Sequence, residues 1–275
     1  MNAITNAVPR PLVTGRVFGE SVRWHNGKVW FSDWGTGEII SMYADGSGAE
    51  SIRLPFDAYP FCFDWLPDGR MLIVSSSGQP LLRREADGSL VEHAASAKLA
   101  GYRWNEIVVD GRGNAFINGG SIDPAGGVVF QVSADGAVRK VAEGIAFPNG
   151  MAVGLDNETL IVAESYGKRL TAFDIEGDGG LANRNVWAEL GDGVPDGISV
   201  DEEGALWYAD VPNKRCVRVC EGGEVLQTII LDRGAFSCAL GGKDGHTLFI
   251  AATIWRGMKE PFAGPPSGML LAVDL

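Results

Sequence analysis

The chain has 275 residues, 38 of them glycine, and a formal net charge of −12. That length can bury a large core, the glycine content suits a turn-rich β fold, and the acidic surface excludes DNA or RNA as an expected partner. The opening MNAITNAVPRPL lacks the basic end and apolar run of a signal peptide, and no apolar stretch is long enough to cross a membrane, so a cytoplasmic protein is expected.

Taken in chain order, the predicted elements repeat. VRWHNGKVWFSDW starts at Val22, FDWLPDGRMLIVSS at Phe63 and IVVDGRGNAFIN at Ile107. MAVGLDNETLIVAE starts at Met151, ISVDEEGALWYAD at Ile198 and CALGGKDGHTLFIAA at Cys238. Each is an apolar run, a Gly/Asp/Asn turn and a second apolar run, which is hairpin chemistry. The starts lie 41, 44, 44, 47 and 40 residues apart. A third strand follows each hairpin, from EIISMYADG to GMLLAVDL, and five of the six third strands lead to a fourth. The segment around Pro11–Gly15 is a spare strand that can complete the last unit. The pattern predicts an all-β fold: a single domain over 1–275, a six-bladed β-propeller with four-stranded blades, the last blade closed by the N-terminal strand.

In a propeller the first strand of each blade lines the central channel. The residue two places ahead of it in the six units is Glu20, Phe61, Asn105, Asn149, Asp196 and Phe236. FPNGMAV and VPDGISV place an amide and a carboxylate at matched positions; alone, each reads as a turn. Together, four oxygen-bearing side chains from different blades would converge near one mouth. Two ionised carboxylates close together repel and raise each other's pKa, and a bound cation removes the conflict. An all-oxygen donor set favours one hard divalent ion, Ca²⁺ first, then Mg²⁺ or Mn²⁺; Zn²⁺ also accepts carboxylates. Phe61 and Phe236 would wall off solvent and the apolar part of a ligand.

The remaining chemistry-bearing residues point elsewhere. His25 and His246 fall in hairpin turns at the far end of the strands, and His93 reads as a surface or turn residue, so no Ser/His/Asp triad is expected. Cys62, Cys216, Cys220 and Cys238 form no CxxC pair and read as small buried hydrophobes.

FGESVRW around Glu20, RWN at Arg103–Asn105, FPNGMAV around Asn149, VPDGISVDEEGALWYAD around Asp196 and FSCALGGKDGHTLFIAA near the end resemble the regucalcin/gluconolactonase family. This is the group of the senescence-marker protein and the luciferin-regenerating enzyme. The resemblance implies a six-bladed propeller with one axial divalent cation and, in many members, lactone hydrolysis. It implies Glu20, Asn149 and Asp196 as metal ligands and Arg103 and Asn105 as substrate contacts. In related phosphotriesterase propellers the Asn105 position is itself a calcium ligand. Two departures bear on the substrate. Glu106 follows Asn105 where sugar lactonases often carry aspartate, and the loop NGGSIDPAGG lacks a glutamate that some members aim at sugar hydroxyls, with Asp123 as the acid available there. The long loop TIWRGMKEPFAGPPSG, with Trp255, Arg256, Met258 and Lys259, would lie at the same mouth.

The expected function is metal-dependent opening of a sugar lactone or related small lactone. Asp196 would be the base that takes a proton from water, Glu20 the alternative base, and Arg103 and Asn105 would orient the substrate. A competing role for Arg103 is an ion pair with Glu106 or another carboxylate at the mouth. Other functional readings are hydrolysis of another ester or a phosphotriester at the same site, or a calcium-binding propeller without catalysis.

Overall fold

The computed structural model describes residues 8–76, 78–95, 99, 101–120 and 126–275, and the backbone of 3–4. Six antiparallel sheets of sequential strands follow one another, with the connectivity of a six-bladed β-propeller. The strand Arg10–Arg16 pairs antiparallel with Gly268–Asp274, so the N-terminal segment completes the sixth blade as its outermost strand. One pairing lies outside the four-strand plan. Ala3–Ile4 adds in parallel to Val225–Ile230, the edge of the fifth blade, where unpaired backbone groups template another strand.

Exposure grades across each blade and follows the sequence. Middle strands such as Met71–Ser75, Leu206–Asp210 and Thr247–Thr253 are buried along their whole length, which is why they read as unbroken apolar runs. Outer strands such as Glu50–Arg53 are largely exposed and correspondingly polar. The turns are set by residue chemistry. Asn26 and Gly27 take φ of 50° and 74° between His25 and Lys28, the two-residue turn that favours Asn-Gly. The repeated Ala-Asp-Gly turns close alike: Asp45, Asp87 and Asp135 accept the backbone N–H two residues on, and Gly46, Gly88 and Gly136 take positive φ.

The chain falls into two compact units. One, Met1–Asp57 with Ala188–Leu275, carries the first, fifth and sixth blades; its cores join Phe31, Ile40, Phe249 and Leu270, and Trp207, Cys216, Cys238 and Ile250. The other, Ala58–Trp187, carries the second to fourth blades around residues such as Phe116, Met151, Leu160 and Phe173.

The innermost strands begin earlier than the hairpin pattern implies. Glu20, Asn105, Asn149, Asp196 and Phe236 lie inside Gly19–His25, Arg103–Val109, Pro148–Val153, Pro195–Val200 and Gly234–Gly241, and Phe61 opens Phe61–Trp65. PNG and PDG are therefore strand segments, not turns. In five of the six blades the register slips by one residue at this place: between Glu20 and Arg23, Trp104 and Glu106, Pro148 and Met151, Pro195 and Ile198, and Ala235 and Ser237. Phe61–Trp65 pairs without a slip. A one-residue bulge bends the strand and re-aims the side chain at the bulge.

Candidate functional site

Within the unit of blades 1, 5 and 6, the bulges order three neighbouring strands. The blade 6 strand Gly234–Gly241 lies between Gly19–His25 and Pro195–Val200. Val22 N–H donates to Ser237 Oγ (2.9 Å) on one side, and Leu240 N–H donates to Ser199 Oγ (3.2 Å) on the other. A Cβ on Gly197 would stand 2.6 Å from Ser237 Cα, so the Pro-Asp-Gly segment needs glycine for this approach. Phe236 is thus flanked by the strand of Glu20 and the strand of Asp196. Both carboxylates are buried, at 5% and 9% exposure, and Glu20 Oε2 accepts the N–H of Ser21 (2.9 Å), itself at φ 52°.

Within the unit of blades 2 to 4, the amides form a network. Asn105 Nδ2 donates to Asn149 Oδ1 (2.9 Å) and to Pro148 O (3.2 Å), and Asn149 Nδ2 donates to Ser165 Oγ (3.3 Å). Asn118, on the second strand of blade 3, donates through Nδ2 to the Asn149 carbonyl, and its buried Oδ1 has no hydrogen-bond partner among the described residues. The sequence reading passed over Asn118 because it sits mid-strand in AFINGG with no motif around it. Arg103 is exposed, and its side chain makes no ion pair or hydrogen bond among the described residues; Glu106 instead folds back so that Oε1 accepts the N–H of Ile107 (2.9 Å). Phe61 is 1% exposed. Asp123 lies outside the described residues.

Three further carboxylates stand directly behind the candidate ligands. Asp33 pairs opposite Gly19, Glu164 opposite Pro148 and Asp210 opposite Pro195, and all three are fully buried. Asp33 accepts the N–H groups of Val17, Phe18 and Gly35. Glu164 accepts from Ala146 N, Thr171 Oγ1, Arg169 and Arg184, and Asp210 from Asn213 and Arg215. Burial pushes the Glu164 carboxyl up, but the donors from Arg169, Thr171 and Ala146 outweigh it and leave its pKa below the ordinary value. The acid that ends FSD, VAE and YAD was the available sequence signal.

The histidines divide. His25 ends its strand beside the Asn26–Gly27 turn, with burial holding its pKa below normal. His93, expected at the surface, is instead buried, its Nδ1 3.3 Å from Arg83 Nη1, because the last residues of its strand turn inward. Cys62, Cys216 and Cys238 are buried as expected; Cys220 lies one residue past its strand and is only partly covered.

Residues 18–254 match the family model described as the SMP-30/Gluconolactonase/LRE-like region. The chain belongs to this family. Among curated members it is 29% identical over 218 residues to pentonolactonase XacC of Haloferax volcanii, covering 76% of this chain and 74% of that one. It is 26% identical over 269 residues to 6-deoxy-6-sulfogluconolactonase of Pseudomonas putida, covering 93% and 90%. To regucalcin of Danio rerio it is 32% identical over 177 residues, covering 59% and 60%. The solved structure of a calcium-binding protein, regucalcin from Agrobacterium tumefaciens, superimposes with a TM-score of 0.82 at 22% identity, covering 99% of this chain and 95% of that one. At that identity the likeness shows the fold.

For this SMP-30/gluconolactonase family chain, the residues present fit an oxygen-ligated cation by their chemistry. Two carboxylates are buried on strands that flank one strand, and carboxylate oxygens are ligands for hard divalent cations. Asn149 Oδ1 uses one lone pair on Asn105 and keeps the other, and Asn105 Oδ1 accepts no hydrogen bond among the described residues. No cluster of three or more His, Cys, Asp or Glu suited to a metal occurs among the described residues. No helix among them is long and apolar enough to cross a membrane.

Proposed function

We propose that this protein opens lactone rings by metal-assisted hydrolysis. The observation that carries the reading is the pair of buried carboxylates, Glu20 and Asp196, held at matched bulges on either side of the blade 6 strand in a member of the gluconolactonase family. The pentonolactonase and sulfogluconolactonase relatives support the substrate class.

Glu20, Asn149 and Asp196, with Asn105, are the residues assigned to hold one divalent cation, Ca²⁺ foremost and Mg²⁺, Mn²⁺ or Zn²⁺ as alternatives. When bound, the ion supplies positive charge for the oxygen of the lactone carbonyl. Asp196 accepts the proton of the water that attacks the carbonyl carbon. The same proton then goes to the ring oxygen as its bond to the acyl carbon breaks, leaving a hydroxy acid. Arg103, exposed and without an ion-pair partner among the described residues, orients polar substituents of the substrate, and the bond from Asn105 to Asn149 fixes the two amides relative to one another.

The test is acid release from a lactone panel by metal-free protein, with each ion added back separately. Ring opening that appears with a divalent ion and is lost on its removal is the expected result. Full rates without any ion, or no opening of any lactone with every ion, would overturn the reading; the second outcome leaves a cation-binding propeller without catalysis.

A further inference from the structure

The unit of blades 1, 5 and 6 also holds a group of five aromatic rings beside the two carboxylates. Phe236 meets Phe18 edge-on at 4.5 Å between ring centroids and Trp255 at 5.5 Å. Phe18 lies two residues ahead of Glu20; it stacks on Trp34 at 5.4 Å and meets Trp255 at 6.1 Å and Phe262 at 5.9 Å. Phe18 and Phe236 are sealed at 2% and 4% exposure, whereas Trp255 is 37% exposed and is followed by Met258 at 65%.

Trp255 and Phe262 come from the loop between Thr247–Thr253 and Gly268–Asp274, far longer than a hairpin needs. It is tied down. Ile254 N–H donates to Ser267 Oγ (3.3 Å), and Arg233 donates to Ser267 O (2.6 Å). An anchored loop that brings Trp255 onto Phe236, on the strand between those of Glu20 and Asp196, and Phe262 onto Phe18, while leaving the indole partly open to solvent, forms a surface for a planar apolar group. Hydroxyls of a sugar lactone turned toward such rings lose their water and gain no hydrogen bond in return, so only a sugar's smaller C–H faces can use this surface. An alkyl or aryl substituent buries apolar area and gains ring contacts.

We infer that the substrate is a lactone carrying an aryl or alkyl substituent, and that Trp255, with Phe262 packed on Phe18 in the same group, determines this preference. The inference rests on the lactonase reading above. Its test compares kcat/KM of the metal-loaded protein for an aryl-fused six-membered lactone, an unsubstituted six-membered lactone and a hexono-δ-lactone. The aryl lactone should be preferred over the hexonolactone by about tenfold or more, and Trp255→Ala should lower the aryl-to-unsubstituted ratio by about tenfold. Phe262→Leu serves as a second variant and should lower the same ratio in the same direction. Preference for the hexonolactone, or a ratio unchanged in both variants, overturns the inference.

If the wild-type protein opens no lactone, the lactonase reading fails on its own. The surface is then read by quenching of tryptophan fluorescence with the aryl-fused lactam. Saturable quenching that weakens in Trp255→Ala supports the aromatic site, and quenching absent from the wild type rejects it.

Discussion

Blades 1, 4 and 5 differ from blades 2, 3 and 6 at one buried position. In the first group the residue paired just ahead of the candidate ligand is an acid: Asp33, Glu164 or Asp210. In the second group the residues on the second strand at this level are Ser75, Gly119 and Ala252, none of which carries charge. The first group bears Glu20, Asn149 and Asp196, the three residues that the family resemblance implies as metal ligands. The second bears Phe61, Asn105 and Phe236. Buried charge is costly, and here it is retained where backbone N–H groups, arginines or amides converge on it. Asp33 and Glu164 hold N–H groups of the chain leading into the bulge, and Asp210 reaches that chain through Asn213 and Arg215, which bond Asp192. Where the inner residue only packs a ring or bonds another amide, a small neutral residue suffices.

The largest expected effect removes an inner residue of the first group. Asp196→Asn should keep the fold and lower lactone turnover by roughly 10²–10⁴-fold, since a neutral amide takes no proton from water. Circular dichroism and acid release on the same preparation check both halves. A variant with wild-type turnover would end the assignment of Asp196 as base and weaken the contrast between the groups.

Next come the clamps. Asp210 accepts from Asn213 Nδ2 and from Arg215 Nε at 2.9 Å, and Arg215 also reaches Asp192. Asp210→Ala should destabilise by about 3 kcal/mol, the low end for a broken buried pair, because Arg215 keeps Asp192. The shift in urea midpoint measures it. In the second group, Asn118→Ala removes one bond to the Asn149 carbonyl and one unpartnered oxygen, and should cost only about 1 kcal/mol. Equal costs at both positions would erase the distinction.

The strands and their count were legible because turn chemistry and apolar runs are local properties. So was the closing strand, since a unit lacking its fourth strand and a leading strand lacking a partner call for each other. The six matched residues could be listed from the repeat, but the strand setting of Asn149 and Asp196 was not legible. Pro-Asn-Gly and Pro-Asp-Gly carry turn chemistry, and only the pairing of Pro148 with Glu164 and Pro195 with Asp210 makes them strand. The role of Glu164 depends on partners such as Arg184 and Ala146, which lie about 20 residues away along the chain. Phe18, Trp34 and Phe262 meet only through the fold, so no spacing announced the aromatic group.

The smallest expected effect is at Asp178, an exposed carboxylate whose pKa is lowered as that of the buried clamp Glu164 is. Glu164 and Asp178 both have pKa values below the ordinary range. In Glu164 burial acts against the shift and the donors outweigh it; in Asp178 the Arg139 guanidinium and the Gly180 N–H lower the pKa at the surface. For Glu164 the sign is fixed. Its folded pKa lies below its unfolded one, so its stabilisation is complete above the unfolded carboxylate value, about 4.3, and disappears as pH falls through the folded value. Melting curves of wild type and Glu164→Gln should therefore be well separated at neutral pH and converge in acid. Asp178 faces water, where solvent and salt screen the pair, so Asp178→Asn should leave the melting midpoint unresolved from wild type at neutral pH in ordinary salt. If Asp178→Asn cost as much as Glu164→Gln, burial would not be what separates a clamp from a surface pair, and the distinction between the two groups of blades would lose its physical basis.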